Sequence, residues 1–202
     1  MSKNGPDTLK ARCAAWQKLG RLDLDDSKKF HKEIYEPRWH SEQKKPSGKP
    51  NLQSTWRRLI AATLGFEGKE AGEEDQWLYQ REHWGRHGGK TCVIELSGLA
   101  AHSLIVKRER DEFLNTRIRN VVEKMNINKP SFLILYGKTV GCEKAWANFA
   151  SCSEAVSSRL SIMQIRRRGD TVIAWTGHPT MQKVTDWCEV GYELKRLDHR
   201  VA

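Results

Sequence analysis

Two short apolar runs constrain this chain more than any other feature. One lies within KPSFLILYGKT, residues Lys129–Thr139; the other, Thr171–Thr176, leads into Gly177-His178-Pro179-Thr180. Each run ends in a glycine or a threonine-glycine step followed by polar residues. In an open α/β sheet such runs are buried parallel strands, and the polar residues just past their carboxyl ends line the ligand crevice. The chain is therefore expected to present two substrate loops at one edge of a sheet.

The pattern around these runs sets the expected architecture. Ser54-Thr55 is suited to capping a helix that carries Trp56, Leu59, Ile60 and Leu64 and ends at Gly65. A second helix is expected over Glu73–Trp84 and a strand over Thr91–Leu96. Apolar spacing predicts a long helix over Arg108–Ile127, with Leu114, Ile118, Val121, Val122 and Met125 on one face and Arg108, Arg110, Arg117, Arg119 and Lys124 on the other. Ser131–Gly137 reads as the central strand and Cys142–Cys152 as a helix. Leu160–Ile165 and Thr171–Thr176 read as strands joined by the basic turn Arg166-Arg167-Arg168-Gly169-Asp170, before a last helix reaching about Leu197. This alternation predicts an α/β fold, a three-layer α/β/α sandwich around a mostly parallel sheet. Ser131–Tyr136 should lie between Thr91–Leu96 and Thr171–Thr176, parallel to both. Upstream, residues 1–50 are charged and partly helical, with the linker-like SEQKKPSGKP at Ser41–Pro50 separating them from an α/β domain over 51–202.

Charge narrows the partners. Over 202 residues, Lys and Arg number 35 against 25 acids, a net charge of +10, which favours a polyanion and above all nucleic acid. No run approaches the roughly 18 apolar residues that span a bilayer, so no membrane partner is expected. The N-terminus lacks an apolar signal core. The five cysteines are scattered without a CxxC pair, as suits a reducing cytoplasm. No cofactor and no metal is expected: His83 and His87 are four apart, but Gly85, Gly88 and Gly89 break the helix that would align them.

Three loops fall at the expected strand ends. In the first, Glu95 stands inside an apolar strand, either at an edge facing water or as a carboxylate accepting hydrogen bonds from the amino group of a base; Ser97 follows it. In the second, Gly137-Lys138-Thr139 lacks the GxxxxGK[ST] spacing of a P-loop, yet Lys138 and nearby amides suit a phosphate. In the third, His178 precedes Pro179 and Thr180. A histidine at a helix N-terminus favours the neutral form and can donate to a developing anion; the alternative is a simple helix cap. Trp39, Trp56 and Trp84 are candidates for stacking on bases near the basic surface.

The order of Ile-Glu-Leu-Ser, an Arg-rich helix, a Lys-Pro apolar strand ending Tyr-Gly, and a strand ending Gly-His-Pro-Thr resembles the uracil-DNA glycosylase superfamily over roughly residues 80–195. The resemblance implies a four-stranded parallel sheet between helices. It implies that His178 stabilises the anion of a departing base and that Pro179, Thr180 and Met181 press into the minor groove. Glu95 would read the base where uracil-specific members carry Asn, which counts against uracil specificity. The superfamily's water-activating acid, after its first strand, has no counterpart in residues 1–90; the acidic stretches Asp23–Asp26 and Glu73–Asp75 follow no strand. The four ligating cysteines of its iron–sulfur members are not matched either.

The expectation is a DNA-binding protein, for single- or double-stranded DNA, that excises or recognises a flipped damaged base, with weak or no glycosylase activity. The alternative is a non-enzymatic nucleic-acid-binding or regulatory module without the acid; a small-molecule enzyme using Glu95 and His178 is a third class. Phosphate contacts are expected from Arg117, Arg119, Arg166, Arg167 and Arg168. The expected form is a cytoplasmic monomer, nucleoid-associated in a bacterium.

Overall fold

The computed structural model describes residues 14, 17–18, 52–94, 107–137, 140–151, 153–182 and 186–198. Most of residues 1–50, Glu95 and Leu96 at the end of the expected Thr91–Leu96 strand, then Ser97 and Lys138 lie outside the described residues. The backbone forms two compact units, one of residues 1–57 and 72–110, the other of 58–71 and 111–202.

The first unit holds the start of α1 (Ser54–Phe66) and all of α2 (Glu73–Glu82). The α1 cap is Gln53 and not Ser54-Thr55: its carbonyl takes the first helical bond from the Arg57 amide, and its Oε1 accepts from Trp56 N at 2.6 Å. Gln53 is itself held, its amide donating to Gln80 Oε1 of α2 at 3.0 Å. Three acids in the first turn of α2 complement the helix dipole. The helix buries Trp77 and Tyr79, and Arg81 lies over the Trp77 ring at 4.8 Å. Trp56 and Trp84 meet with ring centroids 6.2 Å apart. They are 8% and 6% exposed, so neither offers the stacking face expected of it. Residues 91–94 are irregular and form no strand.

The second unit carries the sheet. Helix α2 is followed in the chain by α3 (Lys107–Asn128), β1 (Phe132–Tyr136), α4 (Val140–Ala150), β2 (Glu154–Ala155), β3 (Met163–Arg168), β4 (Thr171–Thr176) and α5 (Cys188–Leu197). Helix α3 buries Ile118, Val121 and Met125, the expected face. It ends where Lys129 takes a left-handed φ of 43°, ahead of Pro130.

The sheet has four strands in the order β1-β4-β3-β2, and it is mixed. Only β1 and β4 are parallel, with Phe132 opposite Val172 and Tyr136 opposite Thr176; β3–β4 and β2–β3 are antiparallel. This corrects the mostly parallel sheet. The reason is connection length: a parallel return needs a crossover of a dozen residues or more, and β3 is joined to β4 by Gly169 and Asp170 alone. Gly169 has a φ of +55°, as such a tight turn requires. The three arginines are therefore not a turn; they are the last residues of β3. The central position is corrected too. Among the described residues β1 is an edge strand, and the strand buried on both faces is β4, where Val172, Ile173 and Ala174 are fully buried. The resemblance loses the sheet order it implied.

Register places Phe132, Ile134 and Tyr136 on one face with Val172, Ala174, Thr176, Ile165 and Arg167, and Leu133, Leu135, Ile173 and Trp175 on the other. Phe66 of α1 packs on Phe132 at 4.8 Å, and Trp146 of α4 stacks on Trp175 at 5.5 Å.

Helices α1 and α5 cross at backbone contact. A Cβ on Gly191 would sit 2.0 Å from the Ala62 carbonyl oxygen, and one on Gly65 would sit 2.3 Å from that of Cys188. Glycine at both positions lets the backbones meet. Along α5, the buried Glu193 carboxylate accepts from the Arg159 amide at 2.8 Å, Ser158 Oγ at 3.1 Å, and Arg196 Nε and Nη2 at 2.7 and 2.8 Å. The Arg196 guanidinium, with the Arg159 and Ser158 donors, pulls its pKa from 4.5 to about 2 against the opposing effect of burial.

Candidate functional site

The parallel register of β1 and β4 ends both strands at the same level. Tyr136 is opposite Thr176, so Gly137 and Gly177-His178 leave the sheet side by side. The two loops expected at one sheet edge are brought together, although β1 is not central. The β1 chain turns at Gly137, whose φ of +116° favours glycine. Both of its backbone groups are committed: its amide donates to Thr176 O at 3.0 Å, and its carbonyl accepts from Trp175 Nε1 at 3.0 Å. The Gly137 amide is thus not a phosphate donor; Lys138 and Thr139, on which the loop's expected use rests, lie outside the described residues.

His178 caps the 3₁₀ turn Pro179–Met181, with Pro179 at the first turn position and fully buried. His178 Nδ1 lies 2.8 Å from Thr180 Oγ1 and accepts from the Thr180 amide at 3.4 Å. An amide can only donate, so Nδ1 is the accepting nitrogen in this arrangement and the ring proton sits on Nε2. Nε2–H is then a hydrogen-bond donor on an exposed imidazole. The edge of one ring faces the other between Tyr136 and His178, centroids 5.7 Å apart and 84° between planes. Beyond them Met181 is 82% exposed. The site at these strand ends is an aromatic ring, an imidazole N–H donor, a threonine hydroxyl and a projecting thioether. The hydrogen-bond partners of the imidazole among the described residues are the Thr180 amide and hydroxyl, so no carboxylate among those residues orients it as in a catalytic triad.

The arginines divide by role. Arg166 Nε donates to Ser153 Oγ at 2.7 Å and its Nη2 to Ser153 O at 2.5 Å. Arg167 Nη2 donates to Leu197 O at 2.5 Å, a carbonyl of the last turn of α5. Both hold the fold together. Arg168, beside the Gly169-Asp170 turn, makes no such bond among the described residues. On α3, Arg119 is exposed and Arg117 half-buried.

No group of three or more His, Cys, Asp or Glu side chains suited to a metal occurs among the described residues. No helix among them is long and apolar enough to cross a membrane. The Cys188 thiol is pushed up by burial and by the neighbouring Asp186 carboxylate, which suits an inert packing role. Sequence reasoning missed the contribution of Tyr136, which it treated only as the end of a strand; its two-residue periodicity with Phe132 and Ile134 was the available signal. Comparison of the chain with protein-family models, curated proteins and solved structures finds no match.

Proposed function

We propose that this protein binds DNA without depending on catalysis, and holds an unpaired base against Tyr136 and His178 at the carboxyl ends of β1 and β4. The observation that carries the reading is the parallel register, which sets the Tyr136 ring beside the His178 Nε2–H at an exposed edge. An aromatic face accepts any base, and a fixed donor suits a base carbonyl. Net charge of +10 supplies the long-range attraction to a phosphate chain. Helical rings on both sheet faces, Phe66 and Trp146, favour the three-layer arrangement implied by the glycosylase resemblance. One observation favours slow base excision as a second reading: a histidine N–H donor suits the anion of a departing base.

The test is a titration of labelled duplex DNA containing one abasic or mismatched position, with the wild type, Tyr136→Ala and His178→Ala. Loss of one stacked base contact costs ~1–3 kcal/mol, so Tyr136→Ala should weaken binding about tenfold. Weakening by His178→Ala should be smaller. Equal affinities for all three proteins would end the reading. Parallel incubation with uracil-containing single- and double-stranded DNA should release no uracil efficiently, because a missing water-positioning group costs roughly 10²–10⁴-fold in rate. Robust multiple-turnover release would favour the excision reading and make Glu95 the first residue to replace.

A further inference from the structure

The two edges of the sheet, among the described residues, are built differently. On one, β2 is two residues long, and Glu154 and Ala155 are both exposed. A short edge with a charge on it resists pairing with another chain. On the other, β1 is the five-residue run Phe-Leu-Ile-Leu-Tyr, with no charge, proline or glycine inside it. The ladder to β4 fixes where its backbone points. The Val172 amide donates to Ser131 O and the Gly137 amide to Thr176 O, both at 3.0 Å. In a parallel pair alternate residues of a strand bond the neighbour, so Ser131, Leu133, Leu135 and Gly137 face β4. The N–H and C=O groups of Phe132 and Ile134 point the other way, where no strand among the described residues pairs with them.

The side chains are not closed off either. Phe132, Leu133 and Ile134 are half-buried, whereas Val172, Ile173 and Ala174, their partners in β4, are fully buried. Half-buried apolar side chains around outward-pointing backbone groups are a template for a further strand. The run itself says which strand, because FLILY reads nearly the same in both directions. An antiparallel copy placed about a twofold axis at Ile134 sets Ile134 opposite its own image. It sets Leu133 opposite the partner's Leu135, and Phe132 opposite the partner's Tyr136. Aliphatic meets aliphatic and aromatic meets aromatic, which are the pairs that stabilise antiparallel strands. Each copy carries a charge of +10, yet the run brings no charge opposite another. Five residues span about 17 Å. The contact therefore lies at the small end of specific interfaces, below about 1,200 Å², and suits a weak, concentration-dependent assembly.

We propose that β1 is a self-association edge: two copies of this chain join β1 to β1, antiparallel about a twofold axis at Ile134, in one continuous sheet. The Ile134 pair exchanges both of its backbone hydrogen bonds across that axis. The dimer stands in place of the expected monomer and is independent of DNA binding at the strand ends.

The experiment is sedimentation velocity of the full chain without DNA, over a roughly hundredfold range of concentration, with the wild type, Ile134→Lys and Ile134→Pro. The wild type should pass from monomer to dimer as concentration rises. Ile134→Lys sets two like charges opposite each other at the axis, and Ile134→Pro removes the outward N–H while sparing the bonds to β4. Each should weaken the dimer about tenfold or more. If the variants fail to fold by circular dichroism, wild-type amides answer alone. Hydrogen exchange at Ile134 should slow as concentration rises, and exchange at Leu133, which faces β4, should not. A monomer at every concentration overturns the inference; slow Ile134 exchange in that monomer would give the edge to another segment of the same chain. A dimer of unchanged strength in correctly folded Ile134 variants overturns it too. So does growth past the dimer into larger assemblies, which marks a head-to-tail contact.

Discussion

Within the sheet-bearing unit, the seam along α5 and the strand ends of β1 and β4 make opposite use of polar and small residues. In the seam small and charged residues are used to join elements of the fold. Gly65 and Gly191 bring two backbones into contact, Glu193 takes four donors, and Arg167 closes the helix end. At the strand ends Met181 and His178 stand in solvent, and among the described residues the imidazole is bonded on one side only. The contrast teaches where mutation should be read as stability and where as binding. Charge alone would have misled, because Arg167 bonds the Leu197 carbonyl at the end of the seam, and Arg166 bonds Ser153 beside β2.

The strongest challenge to that contrast is Gly191→Ala. The added carbon meets backbone atoms at 2.0 and 2.5 Å, which no side-chain rotation relieves. Overpacking ordinarily costs ~1–3 kcal/mol, and a backbone clash belongs at or above the top of that range. Urea unfolding should show a loss of about 3 kcal/mol or more; a loss below about 1 would mean the helices slide apart freely.

The next effect is a pH dependence. Glu193 has a folded pKa of about 2 against an ordinary 4.5. A depressed carboxylate stabilises the fold fully above the ordinary value, and that contribution disappears as pH falls through the window from 4.5 to about 2. A shift of this size corresponds to about 3 kcal/mol for the buried group. Unfolding midpoints followed down this range should fall steeply for the wild type and less steeply for Glu193→Gln. Parallel curves would show that other carboxylates govern acid stability.

The smallest effect sharpens the comparison from the other side. His178→Ala and Met181→Ala should change stability by no more than about 0.5 kcal/mol, as exposed positions do. A larger loss in thermal melting would place the strand ends among the structural parts of the molecule.

Much of this was legible in residues. Thr171–Thr176 is a strand with the expected bounds, α3 buries the face its spacing marked, and Gly137 and His178 do share an edge. The hairpin was legible as well but was misread, since the short link from Arg168 to Thr171 permits only an antiparallel return. The most apolar run, Phe132–Tyr136, was taken for the centre of the sheet. Position instead follows from pairing on both sides, which favours Val172–Ala174. The seam was not legible, because what Gly191 tolerates is set by the backbone of α1 and not by its own neighbours in sequence. The choice of Gln53 over Ser54 as helix cap likewise depends on Gln80, 27 residues away. The fate of Arg166 and Arg167 depends on Ser153 and Leu197 in the same way.

The parallel pairing also has a kinetic consequence. The β3–β4 hairpin closes a two-residue loop, while Phe132 must find Val172 across 40 positions of chain. Loop closure grows with the logarithm of length, so the longer search costs about 2–3 kcal/mol more entropy. The hairpin is the local event of microseconds, and β1 docks onto it afterwards. Amides at Gly137 and Val172, which bridge the two parallel strands, should therefore exchange with solvent sooner than those inside the hairpin. The edge that presents His178 beside Tyr136 is the last part of the sheet to be assembled, and the first that a partial opening would take apart.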